Sequence, residues 1–448
     1  MPAPGTTLGQ LFLISFIFLC SAGMFNALSG KLSLEMLKLS LGMGGAGKAS
    51  NKIVENASAT IAATFTFSSF VAPAVICRIG VVKLAIPSVL AYALYVASYL
   101  FDSDILTITA AALLGVGAGL LWTIQTSLLL SYPAKGEKGR YFSIFWIIFN
   151  SGAALGAIIP LISEWNSGIA PSISTLTYIL FIGIILMGAI LSFFLKDPNQ
   201  VIRSDGSFVS SFSMANSATF MEELSKVVKL ILDWRMVLLI PLFAGSNWFY
   251  TYQFNIFNNG GLFTLRARSL NNVLYWVCQM FGAGLFGIFL DSKRIPKISK
   301  AVISNLFVLF FMTFVWIRAI TIQQTFTRES GMENKAGRGV MIDINDPSYI
   351  WLLVEYACFG IGDAIFQTYI YWILGTMTCD PHEASRFGGF FKTFQNIGNI
   401  ISNQLDSNMG LSFMTQLLIT FAINVIGLLA AIPVSLYVAS KTSQLQKV

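Results

Sequence analysis

Three ionisable residues, Glu355, Asp363 and Lys392, stand inside stretches otherwise apolar enough to cross a membrane. A charge at the centre of a spanning helix costs about 2.5–3.5 kcal/mol on insertion scales, so such groups face a cavity or one another and mark substrate, ion or proton paths. Asp363, Gln367 and Tyr371 are spaced i, i+4, i+8 and share one helix face, with Glu355 on roughly the same stripe nearer the outer end. Lys392, Gln395, Asn396, Asn399 and Asn403 form a second stripe on the next span. Neighbouring spans usually pack together, which leaves two readings of Asp363 and Lys392 open. They are a structural pair that neutralises two buried charges, or they line a cavity that handles a substrate, an ion or a coupling proton. Asn26, Trp122, Gln125 and Asn150 in the first half, and Asn247, Trp248, Tyr250, Tyr252 and Gln253 later, would add aromatic walls with a few amides. Such a lining suits an organic solute of modest polarity. Gln125 and Asn150 could equally bond neighbouring helices, and the two tyrosines could equally belong to an interfacial belt.

The elements that must carry these residues are membrane helices. The chain has 448 residues, 55% hydrophobic and 11% charged, with mean hydropathy +0.71, whereas soluble proteins carry roughly 25% charged residues. Spans of roughly 20 apolar residues are expected at about 8–29, 54–77, 82–101, 105–131, 142–165, 174–195, 236–256, 270–290, 299–320, 349–377, 385–405 and 410–439. The expected organisation is an all-α polytopic membrane protein: an N-terminal six-helix bundle over 1–195, a cytoplasmic linker over 196–235 and a C-terminal six-helix bundle over 236–448. In the linker, Phe220, Leu224, Val227, Val228, Ile231 and Leu232 repeat at helical spacing and predict an amphipathic helix on the membrane surface, with Glu222, Glu223, Lys226 and Lys229 mostly off that face.

The net charge of +7 reads as loop lysines and arginines meeting anionic lipid, not as a nucleic-acid surface. Arg78, Lys83, Lys135, Lys138, Arg140, Lys293, Arg294, Lys297 and Lys300 fall in loops that place both termini in the cytoplasm, while the short outer turns hold Asp102, Asp104 and Asp406. Two longer outer loops carry Lys31, Lys38, Lys48 and Lys52, and Arg328, Lys335 and Arg338, but long loops count for less in this rule. Five scattered cysteines form no CxxC pair, so neither a metal site nor a disulfide framework is supported. No Walker loop, nucleophile elbow or HExxH motif occurs, so the sequence gives no support for an enzyme, for ATP-driven transport or for a cofactor.

The two halves repeat one plan. Arg140-Tyr141, Phe145, Asn150 and Gly152 match Arg386-Phe387, Phe391, Asn396 and Gly398 at a constant offset of 246 residues (386 − 140 and 396 − 150). Gly117, Gly119, Gln125 and Thr126 match Gly360, Gly362, Gln367 and Thr368, and Ala22-Gly23 with Asn26 matches Ala244-Gly245 with Asn247. Weak internal symmetry of this kind is typical of secondary transporters. At the shared offset Trp146 stands opposite Lys392, so the first copy is aromatic where the second is cationic.

A loop motif agrees with the repeat. Gly284-x-x-Gly287-x-x-x-Asp291-x-Lys293-Arg294 resembles the loop motif of the major facilitator superfamily, whose Asp and basic partners latch the cytoplasmic side in one state. The equivalent after the second span keeps Arg78, Gly80 and Lys83 but has Cys77 where an Asp or Asn is expected. Ser246-Asn247-Trp248-Phe249-Tyr250-Thr251-Tyr252-Gln253-Phe254-Asn255, Tyr132-Pro133, Lys138-Gly139-Arg140-Tyr141, Leu270-Asn271-Asn272-x-Leu274-Tyr275-Trp276 and Asp363-x-x-x-Gln367-Thr368-Tyr369-x-Tyr371-Trp372 together resemble the fungal Unc-93-like branch of that superfamily. Gly42–Gly47 fits the family's glycine-rich stretch, but segment 31–40 before it departs from the pattern. The resemblance implies a twelve-helix major facilitator fold. For activity it implies either a secondary transporter of a small solute or ion, or a non-transporting regulator or trafficking partner of an ion channel or other membrane protein. It also implies a cytoplasmic gate built from Arg78, Lys83, Asp291, Lys293 and Arg294.

Overall fold

A computed structural model describes residues 3–26, 51–101, 103–134, 136–165, 175–210 and 219–444. Segment 31–40, the glycine run 42–47, Asp102 and Lys135 lie outside the described residues. The described residues form α1 (Thr7–Phe18, continued by a π-helical turn Leu19–Gly23), α2 (Asn51–Ile79), α3 (Val81–Ser98), α4 (Asp104–Ser131), α5 (Lys138–Glu164) and α6 (Thr175–Ser192). A short helix α7 (Phe220–Val228) follows, then α8 (Trp234–Tyr250, continued by π-helical Thr251–Asn258), α9 (Leu265–Asp291) and α10 (Lys297–Gln323). The chain ends with α11 (Arg328–Lys335), α12 (Tyr349–Met377), α13 (Pro381–Ser407) and α14 (Phe413–Gln444). All but α7 and α11 span, giving the twelve-helix major facilitator fold with two six-helix pseudo-repeats.

Nine of the described helices are long and apolar enough by themselves to cross a membrane. The polar helix α13 is not among them. It can still cross because α2, α4 and α8 pack around it, so Lys392, Gln395, Asn396 and Ser402 are buried. Apolar side chains turn outward instead, Phe281 and Ile288 on α9 and Phe310 and Phe314 on α10 among them, as a lipid-facing surface requires. The first spanning helix of each half carries a π-helical stretch toward its C-terminal end.

The halves meet along α5–α9 and α2–α13, with α4 against α13 and α5 against α12. Small residues permit the approach. A Cβ on Gly139 would collide with the backbone of Gly287 across the first seam, and one on Gly389 would come within 2.6 Å of the Ser69 carbonyl and 2.7 Å of Pro73 across the second.

One end of the bundle, here the linker face, is crossed by the connector. Ile202 exchanges backbone hydrogen bonds with Gly5 and Thr7, and Arg203 donates to the carbonyls of Ser131 (2.9 Å) and Cys379 (3.5 Å), touching both halves. Helix α7 starts with a capping box between Thr219 and Glu222. The expected apolar face is only partly buried: Val227 is enclosed, but Val228, Ile231 and Leu232 are exposed. Glu223 lies inward instead, because α7 packs on α2 and α13 and Glu223 there meets Arg386 (2.8 Å) and Lys226 (2.6 Å). On the far face, Arg266 of α9 pairs with Asp343, and Arg328 with Asp406 at 2.5 Å.

Candidate functional site

Asp363 is fully buried on α12. Its Oδ2 accepts from Gln279 Nε2 at 2.6 Å and from the Tyr250 hydroxyl at 2.9 Å. The Tyr275 hydroxyl lies 3.1 Å from the same oxygen and 2.8 Å from Gln253 Oε1, so its single proton serves one or the other. Oδ1 has no partner. Gln279 in turn accepts at Oε1 from Trp146 Nε1 (2.8 Å) and Asn150 Nδ2 (3.0 Å), both on α5. A continuous polar chain thus runs from the first half through Gln279 to the carboxylate of the second.

Lys392 lies apart from it. Its Nζ donates to Gln395 Oε1 at 2.8 Å and sits over the rings of Phe391 (4.5 Å), Trp122 (4.6 Å) and Tyr371 (5.6 Å). Gln395 Nε2 donates to Ser246 Oγ (2.8 Å) and Gln367 Oε1 (3.3 Å), and Gln367 Nε2 donates to the Ser246 carbonyl (2.8 Å). The Tyr371 hydroxyl reaches Gln125 Oε1 (2.9 Å) and Thr126 Oγ1 (3.0 Å) across the halves. Asn396 Nδ2 donates to the Ala62 carbonyl and to Thr66 Oγ1, each at 2.7 Å.

Asp363 and Lys392 therefore do not form the ion pair that their adjacent helices suggest. The ammonium is drawn to an aromatic cage, a cation–π seat that gains strength when desolvated, and amides separate it from the carboxylate. Two buried charges that do not neutralise each other are costly. Asp363 Oδ1 keeps an unused acceptor site.

Asp363, Gln367, Tyr371, Lys392, Asn396, Gln125 and Asn150 thus converge where the halves meet. Four other candidates do not. Glu355 turns toward α10, where Arg318 lies 3.7 Å away; it stands sixteen residues, and so about 160° of helix rotation, from Tyr371 at the other end of the stripe. Trp248 faces Thr420 and Gln416 on α14, on the opposite side of α8 from Tyr250. Asn247 and Asn26 are half-buried and join neither group. Gln279 and Tyr275, which complete the carboxylate's shell, were missed; the signal was Asn271, Tyr275 and Gln279 at i, i+4, i+8 in an apolar span.

Of the gate candidates, Asp291 alone bridges the halves. Its carboxylate accepts from the backbone N–H groups of Gly139 (2.8 Å) and Arg140 (2.5 Å) at the α5 N-terminus, where the helix dipole favours an anion. Arg78, Lys83, Lys293 and Arg294 are exposed to solvent. At the degenerate position of the other copy, Cys77 Sγ lies 3.0 Å from His382 Nδ1 at the start of α13.

Residues 55–432 match the family described as "Ion channel regulatory protein UNC-93". The chain belongs to the UNC-93 family. It is 33% identical over 438 residues to an UNC93-like protein of Schizosaccharomyces pombe, covering 96% of this chain and 82% of that one. Among the solved structures that share its fold are two bacterial proteins. One is a bacterial homologue of the iron transporter ferroportin in an outward-facing state, with TM-score 0.65, 14% identity and coverage of 97% and 99%. The other is the E. coli fucose:proton symporter, with TM-score 0.61, 13% identity and coverage of 97% and 98%. The UNC-93 chain is thus a multi-pass membrane protein on a transporter fold.

Proposed function

We propose that this UNC-93 family member is a secondary transporter that moves a small solute or ion by rocking its halves, 1–195 and 236–448, about the Asp363–Lys392 region. The supporting observation is the chain Trp146 and Asn150 to Gln279 to Asp363: a buried carboxylate with one unbonded oxygen, wired through a single amide to the opposite half. Movement of α5 against α9 breaks the two hydrogen bonds that Gln279 accepts from Trp146 and Asn150 and changes the shell of Asp363, which couples loading of the carboxylate to the state of the seam. The linker face is the cytoplasmic one, with both termini inside, and Asp291 on the α5 N-terminus holds that side shut.

A proton on Asp363 is the simplest coupling ion. The test is an uptake screen of metabolites and ions in cells with and without the gene, followed by the purified protein in liposomes. Asp363→Asn should abolish uptake driven by a pH gradient while leaving exchange of solute across the membrane, and Lys392→Ala should weaken solute binding. Unchanged gradient-driven uptake in Asp363→Asn would overturn the proton assignment. The family's description supports a second reading, a non-transporting regulatory subunit of an ion channel. That reading predicts no uptake of any solute and one stoichiometric membrane-protein partner on purification.

A further inference from the structure

The linker face holds a cavity of about 350 Å³ that none of the groups above explains. It opens among the ends of α5, α8, α9, α10, α12 and α14. Five cationic side chains line it, Lys138, Arg235, Lys297, Lys300 and Lys441, against the single carboxylate of Asp291. Arg235 is held by Asp233 at 2.6 Å, and both oxygens of Asp291 are engaged by the α5 backbone. Lys300 is only 7% exposed and donates to the Ser292 carbonyl at 2.8 Å; Lys138 donates to the Leu130 carbonyl. These acceptors are uncharged, so they fix the ammonium groups at the wall without cancelling their charge. Trp372 and Tyr437 add aromatic surface.

Like charges gathered in a concave site with low-dielectric walls focus a positive potential and attract a counter-anion. Basic pockets between membrane helices at this depth suit phosphorylated headgroups. We infer that this cavity binds a phosphate-bearing polyanion of the size of a phosphorylated inositol ring, carried by a lipid or free in solution. Lys138 belongs to the first half, Lys297, Lys300 and Lys441 to the second, and Arg235 to the end of the linker, where α8 begins. A bound polyanion therefore ties the halves together beside Asp291 and favours the state in which the linker face is closed. Binding does not depend on whether the protein transports; its effect on closure rests on the rocking proposed above.

The experiment uses the full chain in nanodiscs at fixed salt, with two arms. One arm titrates inositol trisphosphate onto protein in pure phosphatidylcholine. The other compares phosphatidylcholine discs with and without about 5 mol% phosphatidylinositol bisphosphate, read by thermal unfolding. Saturable binding in either arm supports the site, and the arm that responds identifies the source. Lys297→Gln with Lys441→Gln should weaken binding by about tenfold or more. Lys293→Gln with Arg294→Gln, an equal charge change on exposed residues outside the cavity, should leave it within about twofold. No saturable response in either arm, or an equal loss in the control pair, overturns the assignment.

Discussion

The two seams between the halves are built on one plan with different chemistry. In each, an asparagine at the matched position (Asn150, Asn396) donates across the seam, to Gln279 in one and to Thr66 and the Ala62 carbonyl in the other. In each, a glycine-sized contact lets backbones touch lower down, Gly139 on Gly287 and Gly389 on Ser69. The α5–α9 seam ends in a carboxylate on a helix N-terminus, and its amide passes on to the buried Asp363. The α2–α13 seam ends in a thiol beside a histidine, and its asparagine stops at a hydroxyl and a carbonyl. The linker compensates there: Glu223 of α7 grips Arg386 of α13 from outside. Charge that one seam holds internally is supplied to the other by the connector.

The largest expected effect breaks that compensation. Arg386→Gln leaves Glu223, 2% exposed, with Lys226 as its remaining cation, and should cost about 3 kcal/mol, near the range for breaking a buried pair. Burial alone would raise the Glu223 carboxyl, but hydrogen bonds and charge from Lys226 and Arg386 more than offset it and hold it below the usual carboxylate range. A depressed folded value means the stabilisation is complete above the unfolded value of roughly 4.3 and is lost as pH falls through the folded one. Melting temperatures of wild type and Arg386→Gln should therefore differ most near neutrality and converge below about pH 4. A constant difference across that range would detach Glu223 from the α2–α13 seam.

This compensation was the least legible part of the molecule. Apolar length located nine of the described spans, and the offset of 246 residues aligned Asn150 with Asn396, which do play matching parts. Periodicity placed Asp363, Gln367 and Tyr371 on one face, and they do point inward together. It could not say how α12 and α13 rotate against each other, so it left an Asp363–Lys392 pair open as one of two readings, where the structure has a lysine over Trp122 and Phe391. Nor could it reveal that Glu223, polar by type, occupies the buried side of α7: burial there depends on Arg386, distant in sequence. Gln279 is the junction of the whole chain, and its expected span, 270–290, holds no charged residue to mark it as Asp363 and Lys392 mark theirs.

The steric contrast comes next in size. Gly139→Val drives a branched side chain into the Gly287 backbone and should cost about 1–3 kcal/mol, or force the α5–α9 seam apart. Gly284→Ala, on the same face of α9, meets only Ile147 at 3.7 Å and should shift the melting temperature negligibly. Equal effects of the two would mean that the seam is not closely packed at Gly139.

Asp291→Asn keeps the shape of the α5–α9 latch and removes its charge. Hydrogen bonds to a charged acceptor contribute about 1.5–3 kcal/mol, and the amide still accepts one of the two, so a loss of about 1–2 kcal/mol is expected. The loss should appear as faster labelling of a cysteine placed at Ser143, which packs against the Ala283 carbonyl behind the latch. Labelling unchanged from the wild-type background would assign the closure of this face to the linker alone.

The smallest effect tests the weaker seam on its own terms. The sulfur of Cys77 meets His382 Nδ1 at 3.0 Å, and a thiol is a weak hydrogen-bonding group. Cys77→Ser preserves a donor and an acceptor there at slightly smaller size, so stability should change by less than about 1 kcal/mol. If α2–α13 depends on the linker rather than on its own terminal contact, Cys77→Ser in the Arg386→Gln background should add no more than it does alone, since Cys77 and Arg386 would then contribute independently. A double mutant much less stable than the sum would make the thiol–histidine contact part of the clamp, and the two seams would differ in chemistry but not in self-sufficiency.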